Sequence, residues 1–375
     1  MKKIALIGST GSIGVQTLNV VRRYPEQFKI VSLSAGNNCS LLSEQIKEFN
    51  PKVATCKDEI IEKQKGTEYF FGENSFTNAI IDEADVVVIA LVGFKGILAV
   101  VDAINKGKNI ALANKESLVV GGELVTNLAK KKGVEIVPID SEHSAIWQAL
   151  DFDFDKPFNR IILTASGGAF RDYSSEELKF VKASDALKHP NWNMGAKITI
   201  DCATMVNKAF EVIEAKWLYK CDLNKIDVII HRESIIHSMV ELNDGATIAQ
   251  MSYPTMELPI QLALTYPKRL NCEVNGLNFA KLGKLTFEEL DKVKYPCFST
   301  VIECAKKGGI YTALINGAND VAVDMFLNNK ISYSDIYKAL NSVLDDYNKD
   351  FTTDLEGLIL ANEYAKNKVR KLFGD

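Results

Sequence analysis

An α/β fold made of a doubly wound parallel sheet, a second α/β domain and a small all-helical carboxy-terminal domain is predicted by three observations. Between residue 1 and about 150, short runs of Val, Ile and Leu alternate with helical patterns. From there to about residue 285 strands continue, but Pro157, Pro190 and Pro254 mark the turns. After Pro296 helical periodicity alone remains.

The first strands are expected at Ile4 to Ile7, Ile30 to Leu33, Asp85 to Leu91, Asn109 to Leu112 and Glu135 to Ile139. Their unbroken apolar character suits strands covered on both faces, as in a parallel sheet between helices. In the second domain strands are expected at Arg160 to Thr164, Val228 to Ile230 and Thr247 to Met251. The tail reads as helices at Ser299 to Lys307, Ala313 to Asn328, Ser332 to Asp346 and Asp354 to Leu372. A chain of 375 residues exceeds the about 250 to 300 that one core usually serves. Boundaries are therefore set at residues 1–149, 150–288 and 289–375, with a cleft expected between the first two parts.

Composition narrows the function. With 47% hydrophobic and 25% charged residues the chain has an ordinary core-forming balance, which excludes disorder as its theme. A net charge of −4 argues against a general grip on nucleic acid, so any anion must be bound locally. No window reaches the roughly 18 apolar residues of a membrane span, and the opening MKKIALIG runs into a glycine turn without a cleavage site. Seven scattered cysteines, without CxxC spacing, are expected to be reduced thiols, and the protein is expected in the cytoplasm.

The turn after the first strand, Gly8-Ser9-Thr10-Gly11-Ser12-Ile13-Gly14, leads directly into a helical pattern. Glycines there permit a tight turn and close backbone approach, so amides at the helix start can face a pyrophosphate in a Rossmann-like domain. Its GxxGxxG spacing is weak by itself; the flanking strand and helix strengthen it. At the end of the second strand, where NAD enzymes carry an acid for the ribose 2′-hydroxyl, the sequence is Ser34-Ala35-Gly36-Asn37-Asn38. Without a carboxylate NADP is favoured, although Asn37 and Asn38 supply only neutral donors.

Asp140 and Glu142, separated by Ser141, would share one face if the strand stays extended, and two such carboxylates suit a hard divalent cation such as Mg²⁺ or Mn²⁺. The alternative is that they cap a helix beginning near Ser144. Asp201 to Glu211 reads as a loop entering a helix, on which Asn207, Lys208 and Glu211 share a face. Together they suit a phosphorylated polyol beside a metal; the alternative is a surface Lys–Glu pair. Thr164-Ala165-Ser166-Gly167-Gly168 can offer amides and a hydroxyl to phosphate. The stretch from His189 to Gly195 holds Trp192 and Met194, apolar groups suited to a lid over about 184–196, or else to packing on the core rim.

Six segments, GSTGSIG, LANKESLV, IDSEHSA, TASGG, HPNWNMG and DCATMVNKAFEVIEA, closely resemble the 1-deoxy-D-xylulose 5-phosphate reductoisomerase family, in that family's order from residue 8 to about 260. The resemblance implies a homodimer that converts 1-deoxy-D-xylulose 5-phosphate to 2-C-methyl-D-erythritol 4-phosphate with NADPH and Mg²⁺, Mn²⁺ or Co²⁺. It implies Asp140, Glu142 and Glu211 as metal ligands, and Lys115, Glu142 and His189 as catalytic residues. Substrate contacts fall to Ser141, Ser166, His189, Trp192, Cys202, Asn207, Lys208 and Glu211. Thr10, Gly11, Ser12, Ile13, Gly36, Asn37, Asn38, Asn114, Lys115, Glu116, Gly195 and Met256 are implied around the cofactor. Two positions depart from the family pattern: Cys202 stands where a serine is usual, and Asn37 where a basic residue is common. Two other readings remain: a metal-free NADP-dependent dehydrogenase acting on an aldehyde, and a nucleotide sensor that kept its first domain.

Overall fold

Strand and helix alternate from the first residues: β1 (Lys2–Ile7), α1 (Ser12–Arg23), β2 (Phe28–Ser34), α2 (Cys39–Phe49), β3 (Val53–Cys56), β4 (Glu68–Phe71), β5 (Val86–Ile89), α3 (Gly96–Asn105), β6 (Asn109–Leu112), α4 (Glu116–Lys132), β7 (Ile136–Pro138) and α5 (Ser141–Ala149). Next come β8 (Arg160–Ala165), α6 (Ala183–Ala186), α7 (Ala196–Ala203), α8 (Val206–Leu218), β9 (Ile226–Ile230), β10 (Ile236–Glu241), β11 (Thr247–Met251) and α9 (Glu257–Thr265). The chain ends in α10 (Phe279–Leu282), β12 (Glu288–Glu289), α11 (Pro296–Lys307), α12 (Tyr311–Leu327), α13 (Tyr333–Asp345) and α14 (Leu355–Phe373). This computed structural model describes residues 1–60, 62–187, 194–345 and 350–374.

Two compact units emerge. The first comprises Met1–Ser117, Val125–Ser144 and Thr255–Val274; the second comprises Leu118–Leu124, Ala145–Pro254 and Asn275–Asp375. In the first, seven strands lie in the order β4-β3-β2-β1-β5-β6-β7, every neighbouring pair parallel. Ile4, Leu6 and Ile7 of β1 and Val87 to Ile89 of β5 are fully buried, as the apolar runs predict for a sheet covered on both faces. Helix α1 buries Leu18, Val20 and Val21, and ends in Arg22 and Arg23, which complement the negative helix terminus. Arg23 also reaches Glu257 at the head of α9 at 2.8 Å, tying that later segment to the sheet unit.

In the second unit the sheet order is β11-β10-β8-β9-β12, with β8 and β9 parallel and the other pairs antiparallel. Helix α8 is buried from Val206 to Ala215, and α12 is buried along most of its length, including Leu314, Ala318 and Ala322. Both read as helices surrounded by protein rather than as surface helices. Trp147 packs between Phe152 and Phe154, and Phe154 stacks on Tyr219. A side chain at Gly122 would meet the Trp217 ring at 2.2 Å, so the close approach demands glycine there.

Strands β3, β4, β10 and β12 go beyond the sequence reading. Strands β3 and β4 have four residues each, and β10 interrupts its apolar pattern with His237 and Ser238. Expected reduced cysteines are corrected at one pair, because Cys39 and Cys56 form a disulfide. Parallel pairing of Ser34 with Thr55 brings the end of β3 beside the turn that leads into α2, so residues 17 apart in sequence become neighbours. Among the described residues no helix is long and apolar enough to cross a membrane.

Thiol counting checks this arrangement. Unfolded under non-reducing conditions, the chain should show the five thiols of Cys202, Cys221, Cys272, Cys297 and Cys304. In the native state Cys297 and Cys304, both pushed up to about 12 by burial, should resist alkylation at neutral pH. Seven thiols on unfolding would remove the bond, and fast native labelling of Cys297 or Cys304 would show the α11 face to be open.

Candidate active site

A candidate dinucleotide cradle lies at the head of β1. Gly8 takes a φ of +95°, and a side chain there would lie 2.6 Å from the Ala90 carbonyl. A side chain at Gly14 would lie 2.2 Å from the Gly8 carbonyl, so both glycines are required by space. Gly11 begins α1 without any side-chain cap, and Gly11 and Ser12 are exposed, with Thr10 and Ile13 half-buried beside them. Such a helix start holds outward amides and a positive terminus, which fits a pyrophosphate. At the end of β2 the Asn38 side-chain oxygen accepts from Leu41 N at 3.1 Å and caps α2, while Gly36 and Asn37 are exposed.

Asn114 braces the loop after β5. Its amide nitrogen donates to Leu91 O, Gly93 O and Glu116 Oε2, each at 3.0 Å, and its oxygen accepts from Ser117 N. Glu116 in turn accepts from Gly93 N at 3.2 Å. Asn114 and Glu116 therefore hold the loop after β5 against the start of α4. Met256 begins α9 half-buried in the same unit.

Lys115, only 7% exposed, pairs its ammonium with Asp140 Oδ2 at 2.5 Å. The extended geometry expected at Asp140 to Glu142 is corrected: β7 stops at Pro138 and α5 starts at Ser141. Asp140 occupies the helix start, its carbonyl accepting from Ser144 N at 2.8 Å and its Oδ1 from Ser141 N at 2.9 Å. Ser141 Oγ donates to Glu142 Oε2 at 2.5 Å. A helix N-terminus tolerates both carboxylates because its dipole favours negative charge.

In the second unit, Asn207, Lys208 and Glu211 share a face of α8 as their spacing predicts, yet they are buried, at 9%, 4% and 1% exposure. The surface-pair alternative therefore falls. Asn207 Nδ2 donates to Glu211 Oε1 at 2.5 Å, and the Lys208 ammonium meets Glu211 Oε2. Asp201 and Cys202, expected in a loop, belong to helix α7, which breaks before α8 at Met205, held at φ +62°. The loop that carries Ser166 packs on the end of α7 at Gly168, whose added side chain would lie 2.5 Å from the Cys202 carbonyl. Gly168 N donates to Ser166 Oγ at 3.2 Å, so the loop is already folded on itself.

Residues passed over in the sequence hold this loop. Tyr295 donates to Gly167 O at 3.2 Å, and burial pushes its hydroxyl up to about 12, keeping it a donor. Tyr333 donates to Ala203 O at 2.7 Å. Thr164 Oγ1 donates to Ile236 O and His237 O, bringing the buried His237 beside β8, where it meets Ser252 Oγ at 2.9 Å. Ser234, buried and held at φ +52°, lies in the preceding turn. A histidine and a serine in an unassigned strand pattern carried the only sequence signal. His189 and Trp192 lie outside the described residues, as does the centre of the expected lid. Met194 is half-buried, and Gly195 begins α7.

Family models for 1-deoxy-D-xylulose 5-phosphate reductoisomerase match residues 4–122, and models for its C-terminal domain match 136–219 and 251–368. Named 1-deoxy-D-xylulose 5-phosphate reductoisomerases are similar over the whole length: that of Thermoanaerobacter pseudethanolicus is 46% identical, covering 100% of both chains. That of Bacillus anthracis is 44% identical, covering 99% of this chain and 98% of its own. Among solved structures, DOX-P reductoisomerase in complex with NADPH, fosmidomycin and magnesium superimposes with a TM-score of 0.95 at 35% identity, covering 100% and 98% of the chains. The enzyme from Zymomonas mobilis in complex with NADPH gives a TM-score of 0.92 at 36% identity, covering 99% of each.

Replacing Gly14 with Ala tests the cradle. Forcing a methyl against the Gly8 carbonyl should cost about 1 to 3 kcal/mol and lower the melting temperature, with a parallel loss of dinucleotide affinity. An unchanged melt with unchanged affinity would show that the turn is not under steric demand.

Proposed function

This chain belongs to the 1-deoxy-D-xylulose 5-phosphate reductoisomerase family, and we propose from that premise how its residues divide the work. The protein converts 1-deoxy-D-xylulose 5-phosphate to 2-C-methyl-D-erythritol 4-phosphate with NADPH and a divalent metal ion. The observation that carries the reading is one of donor chemistry. Asp140 pairs with Lys115, Glu142 accepts from Ser141, and Glu211 meets Lys208 and Asn207; three carboxylates face two ammonium groups, an oxygen-rich donor set that fits a hard cation.

We assign Asp140, Glu142 and Glu211 as the metal ligands; the bound ion supplies Lewis-acid polarisation of adjacent substrate oxygens. Bound NADPH supplies the hydride. Lys115 and Ser141 hold the carbonyl and hydroxyl end of the substrate. Ser166, Cys202, Asn207 and Lys208 take its phosphate, with Lys208 and Asn207 turning from Glu211 to the anion. His189 contacts the substrate, and Trp192 and Met194 belong to the lid that excludes water. Thr10 to Ile13 hold the pyrophosphate, Gly36 to Asn38 the adenosine ribose, and Met256 packs on the nicotinamide, with Gly195 also at the cofactor. Asn114 and Glu116 act on the cofactor through the loop that they brace. Residues 1–149, 150–288 and 289–375 serve as the dinucleotide, catalytic and helical parts. The resemblance also supports a homodimer in the cytoplasm, and a sedimentation mass of a single chain would remove the dimer.

Following NADPH oxidation with 1-deoxy-D-xylulose 5-phosphate, in excess Mg²⁺ and after EDTA treatment, tests the reading. Turnover should require both substrate and metal; metal-independent turnover of simple aldehydes would favour a plain dehydrogenase. Glu142→Gln should lower turnover by about 100-fold or more at saturating Mg²⁺, the loss of several kcal/mol of charge stabilisation, while leaving NADPH affinity intact. Activity equal to wild type would remove Glu142 from the metal set. Since a hydroxyl is a better donor than a thiol, Cys202→Ser should lower substrate KM by about tenfold, the order expected of a hydrogen bond to a charged group. A large rise in KM would show a phosphate site built around sulfur.

A further inference from the structure

NADPH differs from NADH by one dianionic group, and the turn that receives it carries no cation: Ala35, Gly36, Asn37 and Asn38 are all neutral. Asn38 has moreover committed its side-chain oxygen to the cap of α2. A charge must come from a neighbouring segment, and the parallel sheet decides which one. With Ser34 opposite Thr55, the chain leaving β3 emerges directly beside the β2–α2 turn. Three connections hold it there: Ala35 N donates to Thr55 O at 2.9 Å, Lys57 N donates to Gly36 O at 3.1 Å, and the Cys39–Cys56 disulfide joins the two segments.

Lys57 is thus one backbone hydrogen bond from Gly36, with a side chain about half-exposed. Its ammonium pairs with Glu73 Oε2 at 3.2 Å, and the other oxygen of Glu73 meets Lys95, which precedes α3. Two lysines therefore share one carboxylate, and the group keeps a net charge of +1, from two positive charges and one negative. A phosphate that draws Lys57 away leaves Glu73 still neutralised by Lys95, so the exchange strands no charge.

We propose that Lys57 is a specificity-determining residue that supplies the cation for the 2′-phosphate of NADPH. This rests on the cofactor reading above and adds to it the source of the charge. Lys57 is not required for the pyrophosphate or nicotinamide contacts, so its removal acts on the phosphorylated cofactor alone. Lys95, on the far side of Glu73, serves as the comparison.

Binding of NADPH and NADH to the full chain, followed by nicotinamide fluorescence, gives the test, with 2′,5′-ADP and 5′-AMP as competing fragments. Lys57→Ala should weaken NADPH and 2′,5′-ADP by about tenfold, the loss of one charge-assisted contact, and leave NADH and 5′-AMP within about twofold. Lys57→Arg should keep the preference, and Lys95→Ala should change it far less than Lys57→Ala. If wild type prefers NADPH and Lys57→Ala keeps the full preference, the role of Lys57 is overturned while the cofactor reading stands. If wild type itself shows no preference for NADPH, the cofactor reading and this inference fall together.

Discussion

Burying Glu211 is the constraint on which the catalytic part of the structure depends. The Glu211 carboxylate, at 1% exposure, accepts from the Asn207 amide and meets the Lys208 ammonium on the same face of α8. Removing one member of such a buried pair typically costs about 3 to 5 kcal/mol, because the remaining charge loses its compensation. Those two partners offset the cost of placing a carboxylate inside a helix that is buried from Val206 to Ala215, and the approach to that helix is firmly held. Met205 turns the chain between α7 and α8, and Gly168 lies against the end of α7 too closely for any side chain.

The helical tail serves this same end. Tyr295 and Tyr333 reach out of it to Gly167 O and Ala203 O, fixing one the phosphate-friendly loop and the other the end of α7. Further support comes from the buried Asp201, which accepts from Asn319 of α12 at 2.8 Å and pairs with Lys197 at 2.7 Å. The tail holds none of the assigned substrate or metal residues, yet its hydroxyls and amides set the position of the segments that do. In the first unit the equivalent support is the Asn114 and Glu116 brace, which converts an NKE turn into a rigid wall and leaves Lys115 to face Asp140.

Much of this was legible in the chain. Strands β1, β2, β5, β6 and β8 declared themselves because strands buried on both faces must be apolar throughout, and α8 placed Asn207, Lys208 and Glu211 on one face by helical spacing. Strands β3 (Val-Ala-Thr-Cys) and β4 (Glu-Tyr-Phe-Phe) were illegible because neither carries the Val/Ile/Leu run that marks β1 and β5, and β10 was masked by its own buried His237 and Ser238. Asp140 and Glu142 were found for a reason that the structure replaces: their placing comes from a helix start, not from strand alternation.

From local residues alone came the glycine turn, the alternation that specifies a parallel sheet, the carboxylate and lysine set, and the family to which they belong. Each rests on neighbours within one turn or one strand, where periodicity and backbone sterics act directly. Only tertiary structure decided that Lys208 and Glu211 are buried and that Cys39 meets Cys56. It also brought Lys57 beside Gly36 and made Tyr295 and Tyr333 hold the Gly167 loop and the end of α7. Those facts depend on strand order and helix packing, which join residues far apart in sequence and leave no local pattern to read.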